Sequence, residues 1–234
     1  MKTCVKITTV SGFSSQFGFG SSSASTVCVL KALSELSEKK LDNKELFDLA
    51  YKIVLDVQGK GSGFDVAAAI YGDTLYFVTG GKVIEPLKVK ELPLVIGYTG
   101  VKADTVTLIN EVKEKMRLQP ERIERIYDAI GKLTEDAKIK LLEGDWERVG
   151  KFMDFNQEYL RDLGVSSEKL ESLISAAKKA GALGAKLSGA GGGDCMIALV
   201  TKDTRKLVES AIEKAGGQVI HPAKCGAQGV RTEV

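Results

Sequence analysis

The chain has 234 residues, of which 44% are hydrophobic and 27% charged, a composition ordinary for a folded globular protein. Its 33 basic and 31 acidic residues nearly cancel, so overall charge gives no reason to expect nucleic acid or an anionic membrane as a partner. No apolar run approaches the roughly 20 residues that span a bilayer, and no signal peptide is visible, so a cytoplasmic location is predicted. The widely spaced cysteines favour reduced thiols over disulfides or zinc.

The first part of the chain is predicted to alternate between strand and helix. Asp42 followed by Glu45 forms a capping box, which predicts the start of a helix. β-branched residues and apolar periodicity predict the other elements. In chain order these are a strand at 5–10, a Gly/Ser-rich loop at 11–23, a helix at 24–36, a helix from 42 to about 57, a helix at 65–71 and a hairpin at 75–85 around two glycines.

The second part is predicted to be mainly helical and then to return to strands. In chain order we expect a strand at 92–98, helices at about 103–117, 120–143, 145–162 and 167–180, strands at 184–188 and 195–200, a helix at 203–215, and strands near 217–221 and 226–232. This order predicts an α+β protein of two lobes with a boundary near residue 92. The expected domains are therefore 1–91 and 92–234.

A first glycine-rich segment, Gly18-Phe19-Gly20-Ser21-Ser22-Ser23-Ala24, lies between a predicted strand and a predicted helix. Glycines let backbone N–H groups approach a phosphate, and the helix start adds unpaired donors and a positive dipole end. The segment is not the GxxxxGK[ST] loop, because no lysine follows the second glycine. The alternative is a flexible turn with a serine helix cap. The candidate phosphate-binding residues are Gly18, Gly20, Ser21, Ser22 and Ser23, with Ser22 also a candidate magnesium ligand.

A second segment, residues 59–65, places Asp65 at the start of a helix of small residues. A carboxylate held beside a glycine loop can orient or deprotonate an acceptor, and Lys60 can supply positive charge to the transferred group. The alternative for Asp65 is an ordinary helix cap.

A third segment, residues 186–195, has four glycines in five positions between two predicted strands. A hairpin needs only one or two of them, so we interpret the others as positions where backbone approaches a ligand. The alternative is a long hairpin loop without a binding role.

Taken together, Gly18–Ala24, Gly61–Asp65 and Gly189–Asp194 resemble the second and third motifs of the GHMP small-molecule kinases, with an aspartate of the catalytic type between them. Within that superfamily, Gly61-Ser62-Gly63-Phe64-Asp65 and Gly191-Gly192-Gly193-Asp194 are closer to phosphomevalonate kinases than to mevalonate kinases. The segment Gly97–Thr105 also resembles the substrate-side loop of phosphomevalonate kinases.

The resemblance implies a GHMP kinase fold, in which an N-terminal lobe like domain 2 of ribosomal protein S5 precedes a ferredoxin-like lobe. It implies phosphoryl transfer from ATP, with Mg²⁺, to phosphomevalonate, a small phosphorylated organic acid. Mevalonate or a sugar as acceptor, a decarboxylase of the same pathway, and a non-catalytic nucleotide-binding remnant are the alternatives. A homodimer is left open. The implied substrate-binding residues are Ser62, Gly63, Thr99, Lys102, Thr105, Lys186, Gly191, Gly192 and Asp194.

Two features depart from the family pattern. Relatives begin with a segment carrying a first motif with a lysine, a proline and a glycine, and nothing before Phe17 matches it. A start assigned too far downstream, a fragment, and a diverged protein are the three explanations. Mevalonate kinase-like enzymes also place a glutamate on the helix before the middle motif, where this chain has Asp56 and Gln58.

Overall fold

Eight α-helices and six β-strands form within the part of the chain that this computed structural model describes, residues 4–12, 15–89, 91–221 and 226–233. The contacts divide these residues into two compact units. The first unit contains residues 4–12, 15, 19–88 and 226–233, and the second contains residues 16–18, 89 and 91–221. Mixed helix and sheet content confirms the predicted fold class.

The first unit packs three helices against a two-stranded hairpin. Its elements are α1 (Ser21–Leu36), α2 (Asn43–Gln58), α3 (Phe64–Tyr71), β1 (Thr74–Val78) and β2 (Val83–Leu87), with a 3₁₀ turn at Thr79–Gly81 between the strands. The capping box is confirmed, because Asp42 accepts the Glu45 amide while the Glu45 carboxylate accepts the Asp42 amide. The core of this unit is formed by apolar side chains of the three helices, including Val27, Phe47 and Val66, each fully buried.

The strand predicted over residues 5–10 is wrong. The segment has no regular secondary structure and pairs with no described strand, and its apolar side chains are exposed, with Val5 at 52% and Val10 at 95%. β propensity reflects how well a side chain suits a pleated, half-buried surface. Residues of high β propensity therefore do not form a strand where no neighbouring strand pairs with them.

Residues 226–233 return to the first unit, beside the end of α3. The Asp73 amide donates to the Ala227 carbonyl at 2.8 Å, and the Val230 amide donates to the Ala69 carbonyl at 2.9 Å. The strand predicted over 226–232 is wrong, since only an isolated bridge joins Gly72 to Gln228. The neighbour is a helix end, which offers too few aligned backbone groups for a ladder.

The second unit is a four-stranded antiparallel sheet in the order β4-β5-β3-β6 with five helices. Its elements are β3 (Leu94–Tyr98), α4 (Thr105–Leu118), α5 (Pro120–Glu143), α6 (Trp146–Leu163), α7 (Glu168–Lys179), β4 (Gly184–Ser188), β5 (Cys195–Leu199), α8 (Arg205–Lys214) and β6 (Gln218–Val219). Each lies within a few residues of its predicted position. One face of the sheet packs on α7 and α8 through buried residues such as Leu173, Met196 and Ile212.

Side chains of α6 cover the free edge of the sheet at β4. The Asp154 carboxylate accepts the Ala185 amide at 3.0 Å, and the Gln157 side-chain carbonyl accepts the Leu187 amide at 2.9 Å. These bonds satisfy edge groups that would otherwise be exposed for pairing with another chain.

The register places two loops at one end of the sheet. β3 ends at Tyr98, β4 ends at Ser188 and β5 begins at Cys195, and these three residues are paired across the strands. The loop 99–104 and the glycine loop 189–194 therefore leave the same end of the sheet. None of the helices in the described ranges has the length and apolar character needed to cross a membrane.

Candidate active site

The N-terminus of α1 is open to an anion. Gly20 occupies the N-cap in the left-handed conformation, at φ 68°, and within the described residues no side chain caps the helix. The other long helices mostly have such a cap, as Asp42 provides for α2 and Ser167 for α7. The first-turn N–H groups of α1 are therefore available to a ligand at the positive end of the helix dipole.

Asp65 lies directly against this N-terminus. A Cβ added to Gly20 would lie 2.9 Å from both Cβ and Cγ of Asp65, so only glycine fits beside the carboxyl group. The structure thus brings the first and second glycine-rich motifs together within the first unit. The sequence predicted both motifs but not this contact, since Gly20 and Asp65 lie 45 positions apart in the chain.

The loop that carries Asp65 is held from two sides. The Tyr51 hydroxyl donates to the Gly61 carbonyl at 2.8 Å, and the Gly80 amide donates to the Ser62 carbonyl at 2.9 Å. Gly63, the N-cap of α3, has φ 90° and packs on the rings of Tyr51 and Phe47. Ser62 and Gly63 therefore stabilise the loop conformation. Their predicted contact with a substrate would be a separate role.

Burial raises the pKa of Asp65 above its ordinary value of 3.8, because desolvation disfavours the charged carboxylate. Lys60 lies half-buried in the same loop, five residues before the carboxylate. A carboxyl group of raised pKa at the mouth of an uncapped helix N-terminus is suited to proton transfer next to a bound phosphate.

The serines of α1 differ in exposure. Ser21 is half-buried, Ser22 is exposed and Ser23 is 4% exposed. The side-chain amide of Gln58 lies 3.5 Å from the Ser22 hydroxyl, so α2 also reaches this site. Among the described residues, no group of three or more Asp, Glu, His or Cys side chains is placed to hold a metal ion. Ser22 therefore suits Mg²⁺ only as one ligand among several, with substrate phosphates supplying most of the others.

In the second unit, Asp194 joins the two loops at the end of the sheet. Its amide donates to the Val101 carbonyl at 2.7 Å, and its carbonyl accepts the Thr99 amide at 2.8 Å. Its carboxylate accepts the Ala103 amide at 3.2 Å and lies 3.6 Å from the Lys102 ammonium. Asp194 makes these bonds in the left-handed conformation, at φ 51°, which only a few per cent of non-glycine residues adopt.

Gly18, the first glycine of the phosphate-loop candidate, belongs to this second arrangement. A Cβ on Gly18 would lie 2.6 Å from a carboxylate oxygen of Asp194. The preceding ring, Phe17, packs edge-on against Tyr98 at 5.3 Å, and the Cys195 thiol donates to the Phe17 carbonyl. The segment is thereby fixed over the end of the sheet.

Three other predicted site residues of this unit differ in exposure, since Thr99 is buried while Lys102 and Thr105 are exposed. Thr99 is 2% exposed and its hydroxyl bonds to the Asp194 and Val101 carbonyls, so it has a structural role in this conformation. Lys102, with 57% of its side chain exposed, and Thr105, the exposed first residue of α4, are accessible to a ligand.

Packing explains much of the glycine content of loop 189–194. A Cβ on Gly191 would lie 2.1 Å from the Val165 carbonyl oxygen, and a Cβ on Gly193 would lie 2.5 Å from the Val101 carbonyl oxygen. Gly192 donates its amide to Val165 at 2.7 Å. The interpretation that ligand approach requires these glycines is corrected at Gly191 and Gly193, where the approaching backbone is the protein's own.

Lys186 lies in the middle of β4, and burial lowers its pKa to about 8. Its ammonium group donates to the Leu187 carbonyl at 2.7 Å. Burial also raises the pKa of the neighbouring Cys195 thiol to about 12, which keeps it protonated and unreactive at neutral pH.

Comparison with known proteins identifies the family. The model of the GHMP kinase N-terminal domain matches residues 2–73, and that of the GHMP kinase C-terminal domain matches residues 137–218. The chain belongs to the GHMP kinase family. Family membership confirms the resemblance inferred from the glycine-rich motifs, and the fold of GHMP kinases agrees with the two units described above.

GHMP kinases similar to this chain are named for different acceptors. The mevalonate kinase of Pyrococcus horikoshii is 42% identical over 205 residues, which is 86% of this chain and 60% of that protein. The crystal structure of Methanococcus jannaschii mevalonate kinase superposes with a TM-score of 0.76 at 28% identity, covering 95% of this chain and 67% of that one. Streptococcus pneumoniae phosphomevalonate kinase superposes with a TM-score of 0.79 at 22% identity, covering 89% and 69%, which supports the shared fold alone.

These relatives correct the preference for phosphomevalonate kinase. Curated relatives at 39–42% identity are mevalonate kinases, so the alternative acceptor agrees better with the comparisons. The chain spans 60–65% of the length of these relatives.

Proposed function

We propose that this chain carries out ATP-dependent phosphorylation of mevalonate, the acceptor for which its relatives at 39–42% identity are named. The contact between Gly20 and Asp65 carries the proposal. It places an uncapped helix N-terminus, which favours phosphate, directly beside a carboxyl group whose pKa burial raises.

The state of Asp65 suits an alcohol acceptor. A hydroxyl must lose its proton as it attacks phosphorus, and a base is most effective when its pKa is brought towards the working pH. A phosphate acceptor is already ionised at neutral pH and needs positioning more than deprotonation. The raised pKa of Asp65 therefore supports mevalonate, whose acceptor is a hydroxyl, over phosphomevalonate.

The remaining residues are assigned roles in binding and charge neutralisation. The amides of Ser21, Ser22 and Ser23 would bind ATP phosphates at the start of α1, with Gly18 and Gly20 allowing close approach. Lys60 would stabilise the charge of the transferred group. Mg²⁺ would be held mainly by the nucleotide phosphates, with the Ser22 hydroxyl as one further ligand, and would neutralise developing charge there.

Phosphomevalonate is the second candidate acceptor, and Lys102 is the observation that favours it. This ammonium group is mostly exposed, at the end of the sheet where the glycine loop begins, and suits binding of a second anionic group on the acceptor. Thr105, Lys186 and Gly192 remain predicted substrate-binding residues on resemblance alone.

The proposal is tested by coupled ADP release with ATP and Mg²⁺, offering mevalonate and phosphomevalonate separately. The variants are Asp65→Asn and, as a matched control, Asp48→Asn, which removes an exposed carboxylate of α2 paired with Lys44. We expect turnover with mevalonate, a loss of at least a hundredfold in kcat for Asp65→Asn, of the size usual for general base catalysis, and near-normal activity for Asp48→Asn.

Turnover with phosphomevalonate alone would move the assignment to the second candidate. A folded protein that binds ATP but phosphorylates neither acceptor would contradict kinase activity for this chain. ATP binding is therefore measured in parallel by calorimetry on the same preparations.

A further inference from the structure

A cavity lies in the second unit, at the end of the sheet opposite the glycine loop. Its volume is about 470 Å³, within the range of small-molecule sites. It is lined by residues next to the outer ends of the strands, namely Pro93 before β3, Leu183 before β4 and Val200 after β5. Five-residue strands are roughly 17 Å long, so this cavity is separate from the glycine loop 189–194 at the other end of the sheet.

Apolar residues form much of the cavity wall, and the Thr201 hydroxyl beside them is already bonded to Thr204. The ring of Trp146, at the start of α6, joins Pro93, Leu183 and Val200 in lining it. Backbone groups behind these walls are already paired, since the Leu183 amide donates to the Leu199 carbonyl at 2.8 Å and the Val200 amide donates to the Pro93 carbonyl at 2.9 Å. The body of a ligand must therefore be apolar.

The mouth of the cavity carries more negative than positive charge. Glu91, Asp145 and Glu147 face a single cation, Lys202, among its lining residues. Asp145 is already engaged, because it accepts the Arg148 amide and lies 3.4 Å from the Arg148 guanidinium. Within the described residues, no basic side chain is paired with either glutamate.

We propose that this cavity binds an organic cation with an apolar body, of the aryl- or alkylammonium class. The body would pack against Pro93 and Leu183, with the charge beside Glu147 and over the face of Trp146, where an aromatic ring attracts a cation. Phosphorylated and carboxylated compounds are disfavoured by the same carboxylates. The two sites of the chain would therefore select ligands of opposite charge.

Trp146 is the only tryptophan of the chain, so its fluorescence reports on this cavity alone. The test titrates the protein with benzyltrimethylammonium, benzyl alcohol and phenylmethanesulfonate, which share one apolar body and differ in charge, at constant ionic strength. We expect a saturable change with the cation and at least fivefold weaker binding of the other two. Saturating ADP should leave the cation affinity unchanged, so the test is independent of kinase activity.

Two variants, each of which removes one charge from the lining of the cavity, test whether these charges determine cation binding. Glu147→Gln should weaken cation binding about two- to fivefold, the effect of one exposed charge pair or cation–π contact, and Lys202→Gln should strengthen it slightly. Both residues are exposed, and circular dichroism checks that the variants are folded. Equal affinity for the sulfonate, a fluorescence change that never saturates, or no response to Glu147→Gln would overturn the proposal.

Discussion

At the scale of single residues, the candidate active site is built from groups held in unfavourable states. Asp65 is desolvated, and Asp194 has a left-handed backbone conformation that costs free energy for a residue with a Cβ. Such costs persist only where the surrounding structure imposes them. Asp65 contacts Gly20 within the first unit, and Asp194 contacts Gly18 within the second, so each of these residues lies beside a glycine of the first motif.

Asp65→Asn should make the protein more stable while making it less active. Because the folded-state pKa of Asp65 is raised, the folded protein binds protons more readily than the unfolded chain, and stability falls as pH rises from the ordinary value of 3.8 through the folded pKa. Asparagine removes this loss. The Tm difference between variant and wild type should therefore grow with pH across this interval and then level off, measured by calorimetry. A constant difference would contradict a raised pKa.

Substitutions at Asp194 should separate its charge from its hydrogen bond. Asparagine tolerates the left-handed conformation and can still accept the Ala103 amide, whereas glycine relieves the backbone but offers no acceptor. We expect Asp194→Asn to keep, and Asp194→Gly to lose, hydrogen-exchange protection of the Ala103 amide. Equal protection in all three proteins would show that the carboxylate does not hold the 99–104 loop.

At the scale of elements, local signals predicted what local interactions determine. The capping box of Asp42 and Glu45 and the apolar periodicity of the helices depend on residues close together in sequence. The helices that these signals predicted are confirmed. The strand at 5–10 failed because a strand requires a partner that propensity does not specify. In the candidate site, the spacing of glycines marked the loops correctly. The reason for Gly191 and Gly193 could not be predicted, since it depends on the distant carbonyls of Val165 and Val101.

The attachment of α6 to the edge of β4 gives a test at this scale. Gln157 is 2% exposed and accepts the Leu187 amide while donating to Ser166 and Glu171. Gln157→Ala should lower the free energy of unfolding by about 2–4 kcal/mol, because it leaves buried polar groups unpaired.

The neighbouring Asn156→Ala is the matched control for this experiment. Asn156 is half-buried, and no side-chain hydrogen bond is found for it among the described residues. Its loss should cost less than about 1 kcal/mol in urea denaturation. Equal effects of the two substitutions would mean that the edge contact contributes little.

At the scale of the whole molecule, residues distant in sequence complete the first unit. Segment 226–233 binds at the end of α3, and a Cβ on Gly229 would lie 2.0 Å from the Ile70 carbonyl oxygen. The second unit has its own sheet and its own core. A local change in the last residues should therefore be felt first in the first unit.

Gly229→Ala should displace segment 226–233 and increase amide exchange in α3 (Phe64–Tyr71), with no change in the sheet of the second unit. Exchange followed by mass spectrometry resolves the two regions, and Gly131→Ala, where a Cβ meets nothing within 4 Å, is the control. Uniform exchange changes across both units would contradict a local effect.

The return of residues 226–233 to α3 also sets an order of events during translation. The carbonyl of Ala69 and the amide of Asp73 leave the ribosome about 150 residues before the groups that pair with them, roughly 8–30 s at usual elongation rates. Over that interval the sheet of the second unit can form from a continuous stretch of chain, while the helix that carries Asp65 still lacks its last neighbour. The helix that carries the carboxylate proposed for catalysis therefore acquires this packing neighbour only after residues 226–233 have been made.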